Sequence, residues 1–350
     1  MNGKLSVLLV GLGNIGCKYD LHESLIENNH EITSSIRTHA SAVFTHRNTE
    51  LKAAVDPSVE ARSDFEKKYL LKAYCHIEEC AKAFGQKDFD LIIICVPTEY
   101  QLKTIKEILD RFEPKGLLLE KPIGISFAES RRISNIINKS NVKHVGVNYI
   151  RRYLPAVIQT KEFISKMKLG KFINGTIKYG KGIRTNGSHF VNLAEYWVGS
   201  LKCMIKIKND NCLIDYDEER TLLLMPIDNP MGHILVQSFG SLPIKAGIVD
   251  LWFENGRIVW EEGGETITIW DYELKEDGYY ALKLKPKIIE TDISHYQYYV
   301  LDTIINEILE KTSQGISCTL EEAMSTMHLI DETSAPNSQP SGMRGRFKIN

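Results

Sequence analysis

Three glycines, a strand-end aspartate, a lysine and a histidine carry the chemistry this sequence can do. Gly11, Gly13 and Gly16 sit in VLLVGLGNIG, a G-x-G-x-x-G arrangement directly after an apolar run. There the first glycine permits a tight turn and the second lets backbone approach a pyrophosphate. The third lets a helix pack close, with its N-terminal amides and dipole toward the anion. Three glycines alone also mark a plain turn. What lifts this set is a second run, LKAAVD, that ends in Asp56, where a carboxylate accepts from a ribose 2′-hydroxyl and repels a 2′-phosphate. The cofactor expected is NAD rather than NADP, with Asn14 and Ile15 of the loop beside it.

Residues at strand C-termini meet the cofactor crevice of an open parallel sheet, so Val96, Pro97, Glu120 and Lys121, which follow LIIIC and GLLL, are expected to wall it. A lysine beside nicotinamide hydrogen-bonds the hydroxyl being oxidised and stabilises the charge on oxygen as hydride leaves carbon. His189, in NGSHFVNL, has an ordinary pKa near 6.5, suited to take that hydroxyl proton at neutral pH and return it in the reductive direction. Lone histidines in apolar helices otherwise serve packing. Tyr149, Arg151, Asn186 and His189 are the expected substrate contacts, the arginine as a bidentate clamp for phosphate. Arg152, Tyr179 and Arg184 are secondary candidates. The ten histidines show no HExxH or paired ligand spacing, so no metal site is expected.

The elements that must position these residues follow from hydrophobic pattern. Strands are read at Leu5–Val10, Leu51–Val55, Lys72–Cys75, Leu91–Val96, Gly116–Glu120 and Lys143–Asn148, alternating with helices as in a parallel sheet covered on both faces. Ser126 and Glu129 form a capping box for one helix, Thr319 and Glu322 for the last, which runs through Ile330. Other helices are expected over Pro155 to about Met167, over Gly187–Trp197, and where Tyr298, Leu301, Ile305 and Ile308 share a face. From Lys171 to about Trp270, short β-branched and aromatic runs between Gly, Asn and Pro turns predict a mostly antiparallel sheet. Asp56 lies 40 residues after Gly16, whereas about 20 is usual. The polar CKYDLHESLIENNHE is therefore read as an insertion, with the crossover helix displaced to around Ser35–His46. Lys67 and Lys68 read as a solvated face. The fold class is α/β: a doubly wound Rossmann sheet over residues 1–150, an α+β substrate and oligomerisation domain over 151–334, and a disordered tail over 335–350.

GLGNIG, the Asp-ended second strand, CVPT (Cys95–Thr98), EKP (Glu120–Pro122) and NGSHFVNL (Asn186–Leu193) occur in that order before the β-rich half. Together they resemble the Gfo/Idh/MocA family of NAD(P)-dependent sugar and polyol oxidoreductases, over nearly the whole chain to about residue 334. CKYDLHE, THASAVF, VNYIRRYLP and NGSH look most like members found with surface-polysaccharide and nucleotide-sugar pathways. The resemblance implies a catalytic Lys121, a cis Lys-Pro bond that aims it into the crevice, and a catalytic histidine loop ending at His189. It also implies a homodimer or homotetramer that pairs open sheet faces. Many relatives carry aspartates shortly before this histidine and three residues after it. Here Thr185, Asn186 and Asn192 stand there, and loss of an orienting carboxylate lowers an imidazole pKa. The function expected is hydride transfer between nicotinamide and a secondary carbinol carbon of a sugar, polyol or nucleotide-linked sugar. A redox-neutral glycosidase that uses NAD transiently, and a non-catalytic regulator that binds cofactor and sugar, are the alternatives.

Composition bounds the partners. The 350 residues hold 43 Lys plus Arg against 45 Asp plus Glu, so no global field gathers nucleic acid or anionic lipid. The longest apolar runs, such as LIIICV, are strand-sized and far below the roughly 18 residues of a membrane span. The short first run meets glycines rather than a cleavage site, so it reads as a strand, and a cytoplasmic location is expected. Seven cysteines without a C-x-x-C pair fit reduced thiols.

Overall fold

The computed structural model describes residues 3–22, 35–166, 168–208, 220–240, 247–261, 264–311 and 317–331. Strands β1 (Leu5–Val10), β2 (Thr49–Val55), β3 (Ala73–Tyr74), β4 (Leu91–Ile94), β5 (Gly116–Leu119) and β6 (His144–Val147) form one parallel sheet, ordered β3-β2-β1-β4-β5-β6. Helices α1 (His39–Thr45), α2 (Val59–Tyr69), α3 (Ile77–Ala83), α4 (Thr98–Leu109) and α5 (Phe127–Asn138) connect its strands. Leu8, Leu9, Ile92 and Ile93 have no solvent exposure, which is why these strands are apolar on both faces. Val10 aligns with Val55 on one side and Ile94 on the other. The winding thus reverses at β1, and a crevice opens beyond the carboxyl ends of β1 and β4. Strand β3 is shorter than expected because it pairs along one edge only. Strands β4 and β5 also stop early, at Ile94 and Leu119, which leaves Cys95, Val96 and Glu120 in the crevice loops.

The long connection after Gly16 is a helix interrupted by an excursion. A helical turn starts inside the glycine loop, where Cys17 N donates to Gly13 O at 2.9 Å. A 3-10 turn at Lys18–Asp20 then leads the chain away. Helix α1 begins four residues later than the expected Ser35, capped by Thr38. Its first amides complete the broken helix: His39 N donates to Ile15 O and Ala40 N to Gly16 O, both at 3.0 Å. Buried Asp20 pins the two ends together, its carboxylate accepting from Arg37 N, Thr38 N and Thr38 Oγ1 at 3.0, 2.7 and 2.8 Å. The amide column behind the glycine loop is thereby continuous despite the insertion.

The second sheet contains β7 (Phe172–Tyr179), β8 (Leu201–Lys208), β9 (Arg220–Pro226), β10 (His233–Ser238), β11 (Gly247–Phe253), β12 (Gly256–Glu261), β13 (Thr266–Leu274), β14 (Tyr280–Leu282) and β15 (Lys287–Glu290). Its order is β14-β13-β12-β11-β7-β10-β9-β8, with β15 beside β13. All pairings are antiparallel except β7 with β10. The sheet continues past the expected limit of Trp270 because β13 turns back through β14 and β15. Helices α6 (Pro155–Ser165) and α7 (Ser188–Val198) cover one face, α7 after a short π-helical turn at Ile183–Gly187. The C-terminal helices divide: Val300, Leu301, Ile304 and Ile305 of α8 (Tyr296–Ile308) join the core of the first sheet, and Met327, Leu329 and Ile330 of α9 (Leu320–Ile330) that of the second. The buried face of α8 centres on Gln297, Val300, Leu301, Ile304 and Ile305, and Tyr298 and Ile308 flank it.

Thr319 and Glu322 form the complete capping box. Ser126 accepts from Glu129 N, but the Glu129 carboxylate turns instead to Ile125 N at 2.8 Å, so that box is only half made. The expected tail over 335–350, part of the insertion, Cys212 and Met167 lie outside the described residues. None of the described cysteines is in a disulfide.

Helices α7 and α9 meet through a partly buried carboxylate, Glu195, which accepts from Ser325 Oγ at 2.6 Å and Thr326 Oγ1 at 2.7 Å. Burial outweighs these two hydrogen bonds and raises its pKa to about 7. Between the ordinary carboxylate value and 7 the folded chain keeps a proton that the unfolded chain has lost, so stability falls as pH rises through that window and is level above it. Glu195→Gln should remove this fall. Its melting temperature should exceed the parent's at pH 8, by the equivalent of about 1–2 kcal/mol, and the gap should close toward pH 5; parallel melting curves across that range would refute the assignment.

Candidate functional site

A cavity of about 730 Å³ occupies the crevice, and Gly11, Gly13, Asn14, Ile15, Asp56, Val96, Pro97, Glu120 and Lys121 all line it. The glycine loop is shaped by close approaches. Gly11 has φ +99°, and a Cβ there would stand 2.7 Å from the Cys95 carbonyl. Gly16 lies behind the cavity wall, where a Cβ would meet Gly11 O at 2.2 Å. Around Gly13 a Cβ would meet nothing, so the backbone there is open to a bulky anion. At one end of the cavity Asp56 is fixed by Leu12 N on Oδ2 at 2.7 Å and Ser58 N on Oδ1 at 2.8 Å. Lys68 is turned away, donating to the Asp20 carbonyl. Cradle, opening and strand-end carboxylate together fit a dinucleotide.

At the other end stands Glu120. Its Oε1 accepts from His39 Nε2 at 2.8 Å and from Asn148 Nδ2 at 2.5 Å. Gln297 joins the same cluster, its Nε2 at 2.8 Å from His39 Nδ1 and its Oε1 at 3.2 Å from Asn148 Nδ2. If the Gln297 amide donates to Nδ1, a proton sits on Nε2 and points at the carboxylate. The Glu120 carbonyl accepts from Gln101 Nε2 at 2.8 Å, and Gln101 Oε1 takes Gly124 N at 2.9 Å, which fixes the EKP loop from α4. His39, Gln101, Asn148 and Gln297 were invisible as site residues in the sequence, since nothing local joins positions up to 258 apart.

The Lys121–Pro122 bond is cis. Lys121 Nζ donates to the Thr185 carbonyl at 2.6 Å, in the π-helical turn that leads into α7. His189 is buried on that helix, edge-on to the Tyr149 ring at 5.6 Å. Its Nδ1 is sealed off without a hydrogen-bond partner. Burial first, then the charges of Lys121 and Arg151, hold its pKa well below the ordinary imidazole value, so the ring is neutral at pH 7. Arg151 lies over the Phe190 ring at 4.4 Å and reaches Asn186 Oδ1 at 3.4 Å. Asn186 Nδ2 donates to Gly180 O at 3.1 Å.

The secondary candidates do structural work elsewhere. Arg152 pairs with Glu322 at 2.7 Å, Tyr179 bridges to Arg220 backbone, and Arg184 holds Ile125 O and Asp331. Asn192, three residues after His189, turns to Thr326 Oγ1 at 3.0 Å rather than to the imidazole. Among the described residues no cluster of His, Cys, Asp or Glu could hold a metal ion, and no helix is long and apolar enough to cross a membrane.

Residues 5–149 match the model of the Gfo/Idh/MocA oxidoreductase family, NAD-binding Rossmann fold. No curated protein matches the chain in sequence. Among solved structures it is similar to an NAD-binding oxidoreductase from Klebsiella pneumoniae, with TM-score 0.75 and 12% identity over 95% of this chain and 97% of that one. It is also similar to the WlbA dehydrogenase from Bordetella pertussis, solved with NADH and UDP-GlcNAcA, with TM-score 0.69 and 15% identity over 93% and 94% of the two chains. A third likeness is to the super-repressor mutant of Gal80p from Saccharomyces cerevisiae, with TM-score 0.73 and 14% identity over 95% of each chain. At such identities the likeness is one of fold. What the comparisons show is therefore a match to the NAD-binding Rossmann domain of the Gfo/Idh/MocA oxidoreductases over residues 5–149 and a shared fold beyond it.

Proposed function

We propose that the protein is an NAD-dependent dehydrogenase acting on a secondary alcohol of a sugar, polyol or nucleotide-linked sugar. The observation that carries this reading is a single amine: Lys121 lines the cofactor cavity and its Nζ donates to Thr185, four residues before His189. The crevice and the histidine loop therefore meet at one hydrogen bond. Nicotinamide, when bound, supplies the hydride acceptor. A substrate hydroxyl takes the place of the Thr185 carbonyl on Lys121, whose charge stabilises the oxygen as the carbon is oxidised. With Nδ1 sealed off, His189 accepts the hydroxyl proton at Nε2 and holds it for the reverse reaction. Glu120, with Oε1 saturated by His39 and Asn148, has Oε2 to accept from a ribose hydroxyl, and Asp56 disfavours a 2′-phosphate. The open face of the second sheet fits a homodimer or homotetramer, and cytoplasm is the expected location.

The test is absorbance at 340 nm with NAD and a panel of UDP-sugars, free aldoses and inositols, repeated with NADP. NADH should form with one substrate class and faster than NADPH. If nothing forms on protein that binds NADH, the reading gives way to the redox-neutral glycosidase or to a regulator, the class suggested by the fold shared with Gal80p. With a turned-over substrate in hand, Lys121→Ala should lower kcat by ~10²-fold or more while NADH still binds, and near-normal turnover would remove Lys121 from the chemistry. His39→Ala leaves Glu120 short of a donor. It should lower stability by about 2 kcal/mol and weaken NADH several-fold by fluorescence titration, with His39→Gln recovering part; unchanged NADH affinity would confine His39 to packing.

A further inference from the structure

Arg151 is the unexplained charge of the histidine pocket. Its Nε is buried without a partner, and its guanidinium meets only an aromatic face and the Asn186 amide oxygen at a long 3.4 Å. Among the described residues no carboxylate pairs with it. Burial, opposed only by the nearby Tyr296 phenol, lowers its pKa to about 10. The other charge that acts on His189 is Lys121, also a cation. The carboxylates of the surrounding elements are committed elsewhere: Glu120 to His39 and Asn148, Glu195 to Ser325 and Thr326, Asp331 to Phe127 N and Arg184. A buried charge without a counter-charge is costly unless a ligand supplies one.

We infer that the substrate carries an oxyanion, a carboxylate or a phosphate, which docks on the Arg151 guanidinium beside His189. This rests on the dehydrogenase reading only in calling the ligand a substrate. The guanidinium carbon lies 4.4 Å from the Phe190 ring centre, and a guanidinium offers parallel N–H donors to two oxygens of one group. The ligand then supplies the negative charge that the protein lacks at Thr185, Asn186 and Asn192. A neutral sugar would leave the half-buried Arg151 without a counter-charge.

Matched ligands test this by calorimetric titration of the NADH-loaded protein: D-glucose against D-glucuronate and D-glucose 6-phosphate, and UDP-glucose against UDP-glucuronate. The member with the added carboxylate or phosphate should bind at least ~10-fold tighter than its counterpart without it, and Arg151→Gln should abolish the difference. Preference for glucuronate identifies a carboxylate, preference for glucose 6-phosphate a phosphate. If Arg151→Gln does not fold, Arg151→Lys, which keeps charge but loses the fork, should bind the anion several-fold more weakly than the parent. Equal affinities within each pair, no measurable binding of D-glucuronate, D-glucose 6-phosphate or UDP-glucuronate, or a preference that survives in folded Arg151→Gln overturns the inference. NADH formed from neutral sugars but not from the anionic ones would overturn it while leaving the dehydrogenase intact. Anion binding through Arg151 with no turnover on any substrate would do the reverse.

Discussion

The crevice depends on one half-buried carboxylate. Glu120 leaves the end of β5 and is seized from three directions: by His39 at the start of α1, by Asn148 after β6, and through them by Gln297 on α8. A carboxylate in so confined a place is tolerable only if its lone pairs are met. Meeting them forces the central strands, the displaced crossover helix and a C-terminal helix into one arrangement. Lys121 is the next residue, so whatever fixes Glu120 also fixes the base of the lysine. The same constraint explains why α8, distant in sequence, packs in the core of the first sheet rather than the second.

The insertion after Gly16 could have cost the site its helix dipole, and it does not. Amide-to-carbonyl bonds from His39 and Ala40 to Ile15 and Gly16 splice two pieces of helix across the excursion. Asp20 holds the splice by gathering donors from Arg37 and Thr38. A phosphate at the glycine loop therefore sees aligned peptide dipoles, as behind an uninterrupted helix. The splice also puts His39 beside Glu120, so the insertion is built around the site rather than merely accommodated by it.

Much of this was legible in the residues. Strand C-termini are short-range facts, and the apolar runs before Gly11, Asp56, Cys95 and Glu120 located the crevice walls directly. The glycine spacing marked the cradle for the same reason: it reports backbone sterics at adjacent positions. What sequence could not reveal is pairing between residues far apart. The partners of Glu120, the turning of Asn192 toward Thr326, and the structural service of Arg152 and Arg184 all depend on how α8 and α9 return to the two sheets. Strand β3 and the half-made box at Ser126 show the converse limit, where a local pattern is present but a single edge or a competing amide decides the outcome.

The histidine pocket extends this logic to electrostatics. Lys121 and Arg151 both act on His189, and both lower its pKa. Two cations beside a buried imidazole favour its neutral form, which is the form that accepts a proton, yet they disfavour the imidazolium that acceptance creates. The pocket is therefore poised but incomplete as a base. On the proposed reading, a negative charge brought into it, whether on an oxygen held by Lys121 or on a group held by Arg151, would offset both cations and raise the affinity of His189 for a proton. On the proposed dehydrogenase reading, an aspartate would make the histidine basic at all times, whereas Thr185, Asn186 and Asn192 would leave that charge to the ligand and couple proton transfer to occupancy of the site.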